Sequence, residues 1–307
     1  MITLILIGLV LYLLDHSKKT LPEKPAGKPP VTTPEKPLSA PEPILPPSLI
    51  EKPAGEGAPG GRKPVHKQYS APAVIVPVTK PPKISGSGVV ALIIDDMGSS
   101  VAEVRALMNI GVPLTFSVIP GLHQAHQVAT VAHGNGYEVM LHIPMEPKDY
   151  PQRKLESNGL LLSYGDKEVE TRVRGFMHVI PYAVGANNHM GSRFTEDRKK
   201  MGIVLDVLKE NGMFFVDSMT TPKSVGLTLS RQMGLKATAR SAPFLDNSAD
   251  VSAIKLQLAS LARVAVKRGS AVGICHPHQA TIRALAEQLP IMRSQGIRFV
   301  YVSTLVR

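Results

Sequence analysis

Short apolar runs alternate with amphipathic segments through residues 86–307. The first run, residues 89–94, is continuously apolar, as in a strand that is buried on both faces. Ser100 and Glu103 follow it with the spacing of a capping box, which predicts the start of a helix. The same alternation continues to the end of the chain. Strands that alternate with helices in this way indicate a parallel sheet covered by helices.

Eight strands and seven helices are predicted in this region. The predicted strands are 89–94, 113–119, 137–143, 183–187, 213–216, 236–240, 271–275 and 297–302. The predicted helices are 100–109, 121–133, 166–179, 196–209 (capped by Thr195), 223–233, 250–268 and 279–294. The pattern predicts the α/β class and an irregular (β/α) barrel of seven or eight strands, with an open doubly wound sheet as the alternative.

The chain divides into three segments of different composition. Residues 1–16 are mostly apolar and predict a membrane anchor or signal segment, and the lack of small residues after Leu14 favours an uncleaved anchor. Residues 17–85 are rich in Pro, Lys and Glu and predict a disordered linker. Residues 86–307 predict one folded domain. We therefore expect a protein of the periplasm or cell envelope, attached to the inner membrane through its N-terminal segment.

Charge and cysteine content narrow the choice of partners. The formal net charge is +11, but the excess is spread along the chain, and no basic helix is interleaved with aromatic residues. We therefore expect no nucleic-acid partner. The single cysteine, Cys275, excludes an internal disulfide and a cysteine-rich zinc site.

Polar side chains follow nearly every predicted strand. Those at or just beyond the strand ends are Asp95, Asp96, His142, Glu146, Asn187, His189, Arg193, Asp217, Arg240 and His276. In a barrel these ends converge on one rim, which is where such folds place their chemistry. Each residue also has a structural alternative: a helix cap for the two adjacent aspartates, a hydrogen-bonded core position for a histidine, or a salt bridge for the others.

An aspartate and two histidines around one point suit zinc or a similar divalent ion with an open position for water. A second carboxylate beside the ion can take a proton from that water, and a histidine across the site can protonate a leaving group. Together these parts predict metal-assisted hydrolysis of an acyl bond.

The motifs "ALIIDDMG", "PLTFSVIPG", "EVMLHIPMEP", "NNHMGSRFT", "FVDSMT", "FLDN" and "GICHPH" occur in this order between residues 88 and 307. In this combination the chain resembles the divergent polysaccharide deacetylases of the NodB-like carbohydrate esterase superfamily. The resemblance implies a distorted (β/α) barrel, with Asp95 as the general base and Asp96 as a metal ligand. It also implies that His276 acts as the general acid, because residues 274–276 resemble a Leu-x-His motif.

One family motif is altered in this chain. The H-x-x-x-H spacing of ordinary deacetylases here places His142 four residues before Glu146. The third metal ligand is therefore either Glu146 or His189, and the distinctive Asn-Asn-His-Met-Gly segment favours His189. By this resemblance we expect zinc as the ion.

Three further residues are predicted to bind the substrate, a carbohydrate of the cell envelope. They are Arg193, Asp217 and Arg240. The chain contains no Trp, so only Tyr and Phe are available to stack against a sugar ring.

Three functions compete at this stage. The first is a metal-dependent hydrolase that deacetylates an N- or O-acetylated envelope polysaccharide. The second is a catalytically inactive deacetylase-like envelope protein that binds glycan or a protein partner. The third is a hydrolase of another ester, such as a phosphoester, for which the chain offers no Gly-rich phosphate loop.

Overall fold

Eight strands alternate with seven helices in the computed structural model, which describes residues 86–307. The strands are β1 (Gly88–Met97), β2 (Thr115–Val118), β3 (Glu138–Met145), β4 (Gly185–Met190), β5 (Phe214–Asp217), β6 (Ala237–Ala239), β7 (Ser270–Cys275) and β8 (Ile297–Val300). The helices are α1 (Val101–Met108), α2 (Ala125–Gly134), α3 (Asp166–Val179), α4 (Arg198–Glu210), α5 (Gly226–Gln232), α6 (Val251–Arg268) and α7 (Gln279–Ser294).

The two predicted N-terminal segments, 1–16 and 17–85, lie outside the described residues. Within residues 86–307, none of the helices has both the length and the apolar character needed to cross a membrane.

All strand pairs are parallel, and the strand order is β6-β5-β4-β3-β2-β1-β7. The eighth strand pairs with the first half of β1. The gap between β6 and β7 is bridged by the segment that follows β6: Ser241 N–H donates to Val272 O at 2.8 Å, and Leu245 N–H donates to Ile274 O at 3.0 Å. The sheet is therefore a nearly closed barrel with helices outside it. The predicted (β/α) barrel is confirmed, and the alternative of an open doubly wound sheet is wrong.

The apolar run of β1 is continuous because the strand is buried on both faces. Leu92 and Ile94 belong to the large cluster between the sheet and the helices. Ala91 and Ile93 belong to a smaller cluster, to which β3, β5, β7 and β8 also contribute. Alternate residues of one strand thus enter two different cores, as strand geometry requires.

The structure extends β1, β3 and β4 beyond their predicted ends, to Met97, Met145 and Met190. Pairing of β3 with β4 continues through Ile143–Asn188 and Pro144–His189, so Asn188 and His189 lie within the sheet and not after it. A predicted helix cap is also corrected. The carboxylate of Asp197 accepts a hydrogen bond from Lys200 N–H at 2.8 Å and caps α4, whereas Thr195 lies in a preceding 3-10 turn.

Candidate metal and catalytic site

A cavity of about 270 Å³ opens at the carboxyl ends of the strands. Its wall combines ionisable and aromatic side chains from separate strand ends and loops, namely Asp95, Asp96, His142, His189, Phe244 and His276. The sequence-based expectation that the strand ends bring these residues together agrees with this arrangement.

Three potential ligand atoms form a small triangle in this cavity. Asp96 Oδ1 lies 3.1 Å from His142 Nε2 and 2.8 Å from His189 Nδ1. The two ring nitrogens are 3.2 Å apart. Tetrahedral zinc with bonds of about 2.0–2.1 Å would separate its ligands by about 3.3 Å. Asp96 Oδ1 is buried and accepts no well-aligned hydrogen bond. These residues therefore fit a divalent ion.

Local backbone geometry presents Asp96 to the triangle. The pairing of β1 with β2 is irregular between Ile94 and Met97. Asp96 has a φ of 56°, in the left-handed region that non-glycine residues rarely adopt. Met190, the residue after His189 at the end of β4, and Met219, two residues beyond β5, also have φ of 51°. Such conformations cluster where the surrounding structure holds functional side chains in place.

Charge is concentrated around Asp96 and His142. Burial tends to raise the pKa of Asp96, but the nearby His142 and His189 rings outweigh it and hold that pKa well below its usual range. Burial tends to lower the pKa of His142, but Asp95 and Asp96 outweigh it and raise that pKa. Asp96 therefore presents an ionised carboxylate to the two ring nitrogens.

Asn187 connects the triangle to the neighbouring carboxylate. Its Oδ1 lies 2.7 Å from His142 Nδ1 and also accepts a hydrogen bond from the Ser117 hydroxyl at 2.5 Å. Its Nδ2 donates to Asp95 Oδ1 at 2.8 Å and to the Ser218 hydroxyl at 3.1 Å. A hydrogen bond from His142 Nδ1 to Asn187 leaves Nε2 free as a ligand atom.

Asp95 is almost completely buried beside the triangle, with Oδ2 3.6 Å from His142 Nε2. Burial raises the pKa of Asp95, and the nearby His142 and His276 oppose that rise. A carboxylate in this environment is a stronger base than an exposed aspartate.

His276 is held by a second aspartate across the cavity. Its Nδ1 lies 3.0 Å from Asp246 Oδ1, and its backbone N–H donates to Asp246 Oδ2 at 2.6 Å. Thr281 also donates to Asp246 Oδ2, at 2.9 Å. Burial tends to lower the pKa of His276, but the hydrogen bond to Asp246 and the nearby carboxylates raise it to about 9. The imidazole is therefore protonated at neutral pH, with Nε2 as its remaining donor.

Glu146, the alternative third ligand, lies outside the triangle. Its Oε1 pairs with Arg193 at 2.8 Å, and its Oε2 accepts a hydrogen bond from Leu162 N–H at 2.7 Å. Both carboxylate oxygens are thus engaged in holding the loop that follows β3. Arg193 is engaged in the same contact, and it is not part of the cavity wall.

Asp217 and Arg240, which are predicted to bind the substrate, both make hydrogen bonds within the protein. Asp217 is fully buried, and its carboxylate accepts hydrogen bonds from Met219 N–H, the Ser224 hydroxyl and Leu227 N–H. The Arg240 guanidinium donates to backbone carbonyl groups and lies 4.1 Å from the centre of the Phe244 ring. Asp217 therefore shapes a loop, and Arg240 supports the aromatic residue on the cavity wall.

Three residues at the site, Asn187, Asp246 and Glu156, have no role that the sequence predicts. Asn187 and Asp246 lie in the quoted "NNHMGSRFT" and "FLDN" motifs, so a signal for them was present. Glu156 lies in the long loop between β3 and α3, where spacing gave no signal.

Comparisons with known proteins agree with the fold and with the motifs. The family model described as divergent polysaccharide deacetylase matches residues 92–306. The uncharacterised protein YibQ of Escherichia coli (strain K12) is 32% identical over 203 residues, which cover 66% of this chain and 63% of that protein. An uncharacterised protein of Haemophilus influenzae is 32% identical over 195 residues, covering 64% of this chain and 69% of that protein. The match thus spans less than two thirds of the E. coli relative.

A solved structure supports the same architecture. The crystal structure of an uncharacterised protein from Agrobacterium tumefaciens C58 aligns with a TM-score of 0.67 at 23% identity, covering 75% of this chain and 93% of that one. The barrel, the ordered motifs and the match of the family model over most of the chain lead to one conclusion. The chain belongs to the divergent polysaccharide deacetylase family.

Proposed function

We propose that this protein is a metal-dependent hydrolase that removes acetyl groups from an N- or O-acetylated polysaccharide of the cell envelope. The observation that carries the proposal is the triangle of Asp96, His142 and His189, next to the buried carboxylate of Asp95 and opposite an aspartate-paired imidazole. This set supplies ligands, a base and an acid within one cavity.

Asp96, His142 and His189 would hold a divalent ion, and their donor set suits zinc. Such an ion, when bound, polarises an acyl oxygen and makes water more acidic. Asn187 supports this role because its Oδ1 lies 2.7 Å from His142 Nδ1 and fixes the orientation of that ring.

Asp95 acts as the proton acceptor. Asn187 holds Asp95 Oδ1, which leaves Oδ2 on the side of the carboxylate that approaches His142. Because burial raises the pKa of Asp95, its basicity is closer to that needed near neutral pH. Asp95 therefore takes the proton of the attacking water.

His276 acts as the proton donor. Asp246 keeps the imidazole protonated and binds it through Nδ1, so that Nε2 donates to the departing amine or alcohol oxygen. Phe244 lies beside this ring, with the two ring centres 5.5 Å apart, and offers a flat apolar surface to a sugar.

Acetate release by the zinc-loaded full chain tests this proposal. We expect release from N-acetylated or O-acetylated glycans, and a loss of about 10²–10⁴-fold in turnover for Asp95→Asn because the base is removed. The matched control is Asp206→Asn, an exposed position on α4. Full turnover by Asp95→Asn with unchanged zinc content would show that Asp95 is not the base.

A second candidate is a deacetylase-like protein that binds glycan without hydrolysing it. The altered H-x-x-x-H spacing favours it, because Glu146 stands where ordinary deacetylases have their second histidine and is paired with Arg193. Zinc and glycan binding by the full chain without acetate release would support this candidate and contradict the first.

We also propose that the domain is attached to the inner membrane through residues 1–16, with residues 17–85 as a linker. The apolar composition of the first segment and the Pro-rich composition of the second support this location. Fractionation of cells that express the full chain, or a chain without residues 2–14, tests it. Recovery of both proteins in the soluble fraction would contradict it.

A further inference from the structure

The two histidines of the triangle differ in how their second ring nitrogen is supported. His142 places Nδ1 2.7 Å from Asn187 Oδ1. His189 faces the triangle through Nδ1, so its other nitrogen is Nε2. His189 Nε2 is buried and has no hydrogen-bond partner among residues 86–307. A histidine that binds a metal through one nitrogen normally donates the N–H of the other nitrogen to a carboxylate, a carbonyl group or water.

The carboxylate of Glu156 lies beside this nitrogen. Its Oε2 lies 3.7 Å from His189 Nε2. This oxygen is also buried and unpartnered within the described part of the chain. Two complementary polar atoms that face each other in this way are costly unless they pair. A movement of under about 1 Å would bring them to hydrogen-bonding distance.

The loop that carries Glu156 is fixed to the end of β3. Glu146 N–H donates to Leu160 O at 2.9 Å, and Leu160 N–H donates to Pro144 O at 2.8 Å. Gly159 N–H donates to Glu156 O at 2.8 Å and closes a tight turn. The Glu156 carboxylate therefore meets His189 from a defined backbone position.

We propose that Glu156 is a positioning residue for the metal centre. Its carboxylate accepts a hydrogen bond from His189 Nε2–H, which fixes the tautomer whose Nδ1 lone pair points at the triangle. The inference rests on the proposed metal-dependent function. Removal of a partner of this kind typically lowers metal affinity about 10–100-fold.

Metal affinity, measured without any substrate, tests this role. The full chain is titrated with Zn²⁺ against a chromogenic chelator, and Co²⁺ gives a visible spectrum that reports coordination. We expect Glu156→Ala to weaken Zn²⁺ binding about 10–100-fold. We expect Glu156→Gln to restore most of the affinity, because its amide oxygen still accepts from Nε2–H. The control is Glu168→Ala, which removes an exposed carboxylate on α3.

A nuclear magnetic resonance measurement of the His189 ring separates positioning from general damage. In the zinc-loaded chain Nε2 carries the proton in every variant, so the readout is the exchange of that proton with solvent. The Nε2–H resonance should be visible in wild type and in Glu156→Gln, and broadened or lost in Glu156→Ala.

The outcomes distinguish this inference from the function on which it rests. If Asp96→Ala abolishes Zn²⁺ binding but Glu156→Ala binds Zn²⁺ as tightly as wild type, only the role of Glu156 is overturned. If wild type binds no Zn²⁺ or Co²⁺, both proposals are overturned. A uniform loss in Glu156→Ala and Glu156→Gln, with an unchanged His189 spectrum, also overturns the role of Glu156.

Discussion

Substitution of Asp246 by asparagine should lower the pKa of His276, the proposed acid, because it removes the negative charge beside Nδ1. Asp246 Oδ1 lies 3.0 Å from His276 Nδ1, and the pKa of His276 is raised from 6.5 to about 9. That difference corresponds to about 3 kcal/mol of interaction that favours the imidazolium. Because Asp95 and Asp96 supply part of it, we assign about 1–3 kcal/mol to Asp246.

The sign of the pH dependence follows from the raised pKa. His276 is protonated in both the folded and the unfolded chain below about pH 6, so its stabilisation by Asp246 is fully present there. As pH rises through about 9 the folded protein loses the proton and the stabilisation disappears. The Asp246→Asn variant should therefore lose about 1–3 kcal/mol more free energy of unfolding at pH 6 than at pH 10.

Two measurements check this prediction. Urea unfolding of the full chain at pH 6 and pH 10 gives the difference in stability, and proton resonances of His276 give its pKa directly. The matched control is Asp250→Asn at the N-cap of α6, where asparagine caps as well as aspartate. The reasoning is refuted if His276 titrates at the same pH in Asp246→Asn as in wild type, or if the loss of stability does not depend on pH.

Two further predictions concern buried polar residues near the cavity. Asn187→Ala should lower Zn²⁺ affinity and destabilise the fold by about 1–3 kcal/mol, because His142 and Asp95 lose a hydrogen-bond partner. Zinc titration and urea unfolding measure both effects, and unchanged affinity would contradict the proposed support of His142. Asp217→Ala should destabilise the fold by about 2–4 kcal/mol, because the Ser224 hydroxyl and Leu227 N–H lose their acceptor. Zn²⁺ affinity should stay unchanged. A fall in affinity at full stability would show that Asp217 contributes to the metal centre instead.

Periodicity and strand-end chemistry predicted the barrel and the residues of its rim. This worked because parallel strands in a (β/α) barrel deliver their carboxyl ends to one face, so Asp96, His142 and His189 had to approach each other. Spacing along the chain does not show which polar residues already have hydrogen-bond partners within the protein. Asp217 and Glu146 are engaged by backbone N–H groups from loops whose paths only the folded structure defines.

The sequence also did not predict the full length of the strands or the position of the loop residue Glu156. The end of β4 is polar, and polar residues usually signal the end of a strand. Here the ladder continues, and the Asn187 side chain bonds to His142 on β3 inside the barrel. Glu156 has no periodic context, so its approach to His189 emerges only from tertiary structure.

The gap between β6 and β7, here called the seam, affects how the site assembles. The stretch that closes it carries Phe244 and leads directly into Asp246, while β7 leads into His276. Opening this seam would separate Asp246 from His276, yet Asp96, His142 and His189 would stay on the continuous β1–β4 part of the sheet. Because β7 pairs with β1, His276 would stay with them and would lose its aspartate partner. Closure of the barrel wall thus maintains the protonation of the proposed acid and not the placement of the proposed ligands.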